Sequence, residues 1–407
     1  MRTGSAFFSL LSAAALLSGF AVHALPGTTD SSLNARSALE ERQTADAASS
    51  SAATLTGPTP HTRSYFYVGG QYSAVANANG SFDAAIYSGQ MYVEHLVPLH
   101  VTRKYPLVMF HGSSMTGTNF LNTPDGRPGW ADYFLSQGYE VYLLDQVARA
   151  RSPWQQAVDG PQSTVDALII EQRFTATELF NIWPQAKLHT QWPGNGTRGD
   201  PIFDNFYRST VPSLVDQVET SNKVRAAAAA LLDKIGPAIV MVHSQSGQSG
   251  WPLADDRPDL VKALVAIEPA GPPFTGATFP PITPTRAYGV SEVPLTFSPP
   301  ISNASDLQTQ VLFTSTSEGY TCIGQADPAR KLVNVSKVPV LVVTSESGYH
   351  TTYDWCTVDF LRKAGVGVDH ITLPNIGIHG NGHMMFMEKN NIQIADQVVN
   401  KWLTSKF

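Results

Sequence analysis

From about Tyr65 onward, short apolar runs alternate with longer stretches in which apolar side chains recur at helical spacing. The runs Leu107–Phe110, Val141–Leu144, Ile239–Val242, Leu264–Ile267 and Val340–Val343 are apolar throughout. Unbroken runs of this kind mark strands buried on both faces, as in a parallel sheet. Two earlier strands, Tyr65–Val68 and Met91–Val97, carry β-branched and aromatic residues between Gly-rich turns. Amphipathic helices are predicted over Trp130–Leu135, Ser213–Leu232 and Tyr353–Lys363, with a closing helix over Ile392–Leu403. The alternation predicts an α/β fold, a mostly parallel central sheet with helices on both faces. Reactive groups in such folds sit on loops leaving the carboxyl ends of the strands. Residues 151–210 and 270–310, rich in Pro, Gly, Trp and Phe or in Pro and Thr, are too long for connectors and predict a lid-like or lateral insertion.

The first segment has another pattern. Arg2 precedes an apolar run, Phe7–Ala21, followed by Val22-His23-Ala24, which fits the small-x-small rule for cleavage after Ala24. An uncleaved anchor would need about 20 apolar residues, and this run is short and rich in Ala and Ser. The expectation is a signal peptide over 1–24, a disordered leader or propeptide over 25–58, and a catalytic domain over 59–407. The protein is thus expected to be secreted and extracellular, with no stable membrane anchor after cleavage.

Composition narrows the class. The 407 residues include 33 acidic and 27 basic side chains, for a formal charge of −6. No basic footprint of a nucleic-acid binder is present, and no nucleic-acid partner is expected. Hydrophobic residues at 43% suffice for a sizeable core. Cys322 and Cys356 are too few for a disulfide scaffold or a cysteine-built zinc site, and no metal site is expected. In an oxidising compartment they are expected to pair with each other. Sequons at Asn79, Asn195, Asn303 and Asn334 suit a glycosylated secreted chain.

Three segments carry candidate chemistry. Ala238-Ile-Val-Met-Val-His-Ser244-Gln-Ser-Gly247 is an apolar strand entering a turn of small residues and then a helix. That is the setting of a nucleophile elbow, whose tight turn demands small neighbours. Ser244 fits better than Ser246, which would place the bulkier Gln248 where a small residue is required. Pro106–Gly117 contains a strand ending in His111-Gly112, followed by Ser113 and Ser114. In serine hydrolases of this architecture a backbone N–H from that loop forms half of the oxyanion hole, here with Ser113 and Gln245 as donors. The general base is expected near Gly380-Asn-Gly-His383, beyond the last strand. His383 opens an apolar turn that would fix its ring; His379 is the near competitor, and His370 lies at the wrong end of a strand. For the acid, the seventh strand Val340–Val343 makes Glu346 the default and Asp354 the second choice. Glu268, after the sixth strand, is the alternative: a carboxylate at the end of a central apolar strand is costly to bury without a partner, which suggests a task.

His111-Gly112 with Thr116-Gly117, His243-Ser244-Gln245-Ser246-Gly247, Ala266-Ile267-Glu268-Pro269 and Gly382-His383-Met384-Met385 together resemble a branch of α/β-hydrolase esterases found in bacteria and fungi. Members carry a His-Ser-Gln-Ser-Gly elbow and a triad glutamate after the sixth strand. The resemblance, from about Tyr65 to the C-terminus, implies Ser244 as nucleophile, His383 as base and Glu268 as acid. One departure is visible. Where the bacterial pattern has adjacent cysteines in the oxyanion loop, this chain has Ser113-Ser114, which keeps the N–H donors.

The expected function is a secreted serine hydrolase of small-molecule carboxylic esters, working through an acyl-enzyme without a cofactor. Lactone or amide hydrolysis on the same triad is an alternative reaction, and a non-catalytic binding protein on a hydrolase fold is an alternative role. Asp145 with Arg149, Arg151 and Ser152 resembles the supporting Asp-x-x-Arg-type turn of this fold and is given no catalytic role.

Overall fold

The computed structural model describes residues 55, 57–77, 79–82, 84–277, 279 and 282–407. Eight strands form one sheet: β1 His61–Val75, β2 Ala84–Pro98, β3 Leu107–Phe110, β4 Val141–Asp145, β5 Ala238–His243, β6 Val261–Ile267, β7 Val340–Thr344 and β8 Val368–Thr372. Their spatial order is β1-β2-β4-β3-β5-β6-β7-β8. β2 is antiparallel to β1 and β4, and the strands from β4 to β8 are mutually parallel.

The apolar runs have a direct explanation. Val240 and Val242 of β5 pack on one face with Val224 and Leu231 of the helix α2 Gln217–Ile235 and Trp251 of α3 Gly247–Asp256. Their neighbours Ile239 and Met241 pack on the other with Trp130 and Phe134 of α1 Trp130–Ser136 and Val398 and Leu403 near the C-terminus. Both faces of every central strand are covered, so no polar position is left to interrupt the pattern.

Two boundaries differ from the sequence expectation. β1 and β2 run well beyond Tyr65–Val68 and Met91–Val97 into a hairpin of 15-residue strands. The outer part of β1 is largely solvent-facing, so its pattern carries no burial signal. The helix expected from Ser213 begins at Gln217, because the Asp216 carboxylate accepts from the amides of Val218 and Glu219 at 2.8 and 3.0 Å and fixes the start there. Ser213–Leu214 instead pairs with Gln162–Ser163.

The expected signal segment and the leader up to residue 54 lie outside the described residues. Leu55, counted with the leader by composition, is partly buried against the core, and Thr59 bonds Asp132 through both its amide and hydroxyl. Cys322 and Cys356 form a disulfide that ties the strand Tyr320–Gln325 to α4 Asp354–Lys363. Among the described residues no helix is long and apolar enough to cross a membrane. Asn79, Asn195 and Asn303 are exposed and Asn334 partly so.

Candidate active site

The carboxyl ends of β3, β5, β6 and β7 converge under a cavity of about 580 Å³, lined by Ser113, Ser244, Gln245, Tyr349, His350 and His383 among others. Its roof comes from both irregular stretches, with Ile170, Phe174 and Phe206 from the first and Ala277 and Phe279 from the second. The two therefore cover the site as expected of a lid-like insertion.

Ser244 sits directly after β5 with φ +55°, a left-handed conformation that a non-glycine residue adopts only when its surroundings force it. What forces it is close packing. A Cβ on Gly247 would lie 2.5 Å from the Cβ of Pro269, and the Ala270 amide donates to the Ser244 carbonyl at 2.8 Å. A Cβ on Gly112 would lie 3.1 Å from that of Ser244, so glycine is what lets the loop after β3 approach the turn. Ser246, the alternative, is fully buried; its hydroxyl accepts from the His243 amide at 2.9 Å and staples the turn.

Glu268 follows β6, also with positive φ, and is completely buried. One carboxylate oxygen accepts from the Ser345 amide at 2.7 Å and from its hydroxyl; the other meets His383 Nδ1 at 2.6 Å. Gly348 makes room for it, since a Cβ there would stand 3.0 Å from both oxygens. Burial alone would push this carboxyl up. The bond from His383, the adjoining imidazoles and Ser345 outweigh it and hold the group below its ordinary value. Burial pushes His383 below 6.5, only partly opposed by Glu268. The pair is therefore a carboxylate accepting from Nδ1–H of a neutral imidazole, which leaves Nε2 as the basic nitrogen.

His243 locks the ring's position from behind: its Nε2–H donates to the His383 carbonyl at 3.0 Å. Burial and the neighbouring imidazoles hold His243 well below 6.5, so it does not compete as a charged group. Tyr349 faces Ser244 and His383 from the loop after β7. Its hydroxyl stands 3.4 Å from His383 Nε2 and hydrogen-bonds Ser244.

The competitors are engaged elsewhere. Glu346 bonds His379 Nδ1 at 2.8 Å and the Gly380 amide at 2.7 Å, at the protein surface. Asp354 bonds His350 Nδ1 at 2.8 Å and the Thr344 hydroxyl at 2.8 Å. His370 bonds Thr344 at 3.0 Å. Among the described residues, Glu268, His350 and His383 bring ligand-type atoms within 4.8 Å of one another. There Glu268 and His383 already bond each other, and His350 bonds Asp354. Tyr349, Ser345 and His350 all follow the end of β7, but a tyrosine, a serine and a histidine in a loop carry no local signal there; the carboxylates Glu346 and Asp354 do.

No protein-family model matches the chain. The sheet order and the strand–turn–helix at Ser244 are those of an α/β-hydrolase, and a bacterial esterase solved at atomic resolution superposes on 87% of this chain and 99% of its own with a TM-score of 0.58 at 22% identity. A probable secreted lipase, phiG, of a fungus (Fungal sp. strain ATCC 74256) is 45% identical over 341 residues, 84% of this chain and 89% of that one. The chain belongs to the family of secreted α/β-hydrolase carboxylic-ester hydrolases that includes this relative.

Proposed function

We propose that ester cleavage runs through a Ser244–His383–Glu268 triad and an acyl-enzyme on Ser244. The observation that carries this reading is the 2.6 Å bond between His383 Nδ1 and the buried Glu268 carboxylate, beside a serine held at positive φ under the cavity. His383 Nε2 takes the Ser244 proton as Oγ attacks the ester carbonyl. Glu268 holds the required tautomer and stabilises the imidazolium. The tetrahedral oxyanion rests on the amides of Ser113 and Gln245, each worth about 3 kcal/mol in comparable sites. Protonated His383 then gives its proton to the departing alcohol, and the same base activates the water that releases the acid. Aromatic and aliphatic side chains in the roof and walls suit small esters with an apolar acyl or alcohol group.

Two measurements test this. A fluorophosphonate should label Ser244 and no other serine, and Ser244→Ala should abolish both labelling and hydrolysis of chromogenic esters. Labelling that survives in Ser244→Ala would remove the nucleophile assignment. A lactone or amide turned over faster than every ester tried would shift the reaction while leaving the triad intact. We read Asn79, Asn195, Asn303 and Asn334 as glycan acceptors and 1–24 as a signal segment; enzymatic deglycosylation of the secreted protein should lower its mass.

A further inference from the structure

The loop leaving β4 carries two arginines with opposite fates. Arg151 is paired on both sides, its Nε 2.6 Å from Asp145 and its Nη1 2.6 Å from Glu94. Arg149 turns inward, is 2% exposed, and among the described residues has no carboxylate within ion-pairing distance. A buried guanidinium without a counter-charge is expensive. The flanking residues add to the cost. Ala148 and Ala150 hold φ +56° and +48°, a conformation alanine avoids unless over-determined. Burial lowers Arg149 to about 10, partly opposed by Asp145, so it stays charged at neutral pH.

What the cation touches accounts for the expense. Nη1 donates to the Gly112 carbonyl at 2.9 Å, and Nη2 donates to Gln245 Oε1 at 3.0 Å. The Gly112 carbonyl belongs to the same peptide unit as the Ser113 N–H. Gln245 supplies the second N–H of the hole. His111 adds a second donor to that carbonyl: its Nε2 accepts from the Gln146 amide at 3.0 Å, so Nδ1 carries the proton it donates to Gly112 O at 2.9 Å.

We propose that Arg149 is a positioning residue for the oxyanion hole: together with His111 it aligns and polarises the Gly112–Ser113 peptide, and through the Gln245 carboxamide it anchors the second donor. A peptide whose carbonyl accepts from a cation presents a more acidic, better-oriented N–H on its other side. Arg149 does not itself line the cavity, so it acts without contacting substrate. This rests on the reading of Ser113 and Gln245 as oxyanion donors given above.

The test uses the full-length secreted enzyme with Arg149→Met, Arg149→Lys and Gln245→Leu. It reads kcat and KM on a chromogenic ester, the Ki of a boronic acid that forms a tetrahedral anion on serine, and the thermal midpoint. Small misplacements of catalytic groups cost up to about 100-fold. We therefore expect Arg149→Met to lower kcat and boronate affinity in parallel by about 10- to 100-fold, with KM within about threefold. Arg149→Lys should recover part of the loss, and Gln245→Leu, which cuts one arm, should lose less than Arg149→Met. If Arg149→Met does not fold, the parallel loss of kcat and boronate affinity in the other two carries the test. Unchanged boronate affinity alongside reduced kcat, or a loss confined to KM or stability, overturns the proposal. A wild-type enzyme that binds boronate weakly and leaves Ser244 unlabelled by fluorophosphonate overturns the underlying reading, which the variants alone would not do.

Discussion

Two histidine–carboxylate pairs share one wall of the cavity. His383 and Glu268 meet at 2.6 Å, His350 and Asp354 at 2.8 Å, and the two imidazole rings stack 4.8 Å apart within 4° of parallel. Both acids are buried, and each has its other oxygen anchored by a residue at the end of β7, Ser345 or Thr344. Chemistry at the level of the pair does not tell them apart. Their setting does. Glu268 and His383 come from loops 115 residues apart and meet beside the strained serine, whereas His350 and Asp354 lie four residues apart at the start of α4, a helix pinned by the Cys322–Cys356 disulfide. A local pair gives the wall a fixed shape; a pair assembled over distance brings an imidazole into the cavity that Ser244 also lines, as the proposed triad requires.

Substitutions at the acids break the comparison most directly. Glu268→Gln should lower kcat by up to about 10⁴-fold, equivalent to about 5 kcal/mol of barrier, because the imidazole tautomer is no longer enforced. Glu346→Gln serves as control and should stay within about threefold. Cys356→Ser should cost roughly 4 kcal/mol by the chain-entropy model for a separation of 34 residues. Its readout is the denaturation midpoint, with turnover of the surviving folded fraction little changed. Asp354→Asn should cost about 1–3 kcal/mol of stability, the usual penalty for an incompletely satisfied buried polar group, and less than about tenfold in kcat. The pH profile sharpens the contrast. Burial holds His383 below 6.5 while Glu268 and, more weakly, Asp354 raise it, so the acidic limb of kcat/KM should have its midpoint below pH 6.5. Removing either carboxylate should move that midpoint to lower pH, further for Glu268→Gln than for Asp354→Asn. A shift to higher pH in Glu268→Gln would contradict the assignment of that carboxylate.

The central sheet was legible because every strand from β3 to β7 is covered on both sides, which writes burial into the sequence as an unbroken apolar run. The outer hairpin was not, since solvent on one side of β1 leaves its tyrosines and polar residues without a clear pattern. The sharp strand-to-helix turn at Ser244 could be read from local spacing, whereas the bond between Glu268 and His383 joins residues 115 positions apart. Arg149 could be placed in a supporting turn, but its separate task could not be read. It looks like its neighbour Arg151 in sequence, and only contacts with residues 37 and 96 positions away separate their tasks. Tyr349 likewise acquires its place from how the end of β7 packs against the loop bearing His383.

Residues 183–191, from the first irregular stretch, are stitched to the loops carrying Ser347 and His383. Trp183 Nε1 donates to the Ser347 carbonyl at 2.9 Å, and the amides of Thr190 and Gln191 donate to the Gly380 carbonyl at 3.0 and 3.2 Å. His189 Nε2 meets Glu388 Oε1 at 2.7 Å, and the same carboxylate receives the Gly382 amide beside His383. Moving residues 183–191 outward would pull on the loop that carries His383. The lining residues Val165, Ile170 and Ala277 take part in none of these bonds. A segment tied in this way cannot lift without moving the loop that carries His383, so the rate on a short ester should rise smoothly through the solubility limit rather than jump when an oil–water interface appears.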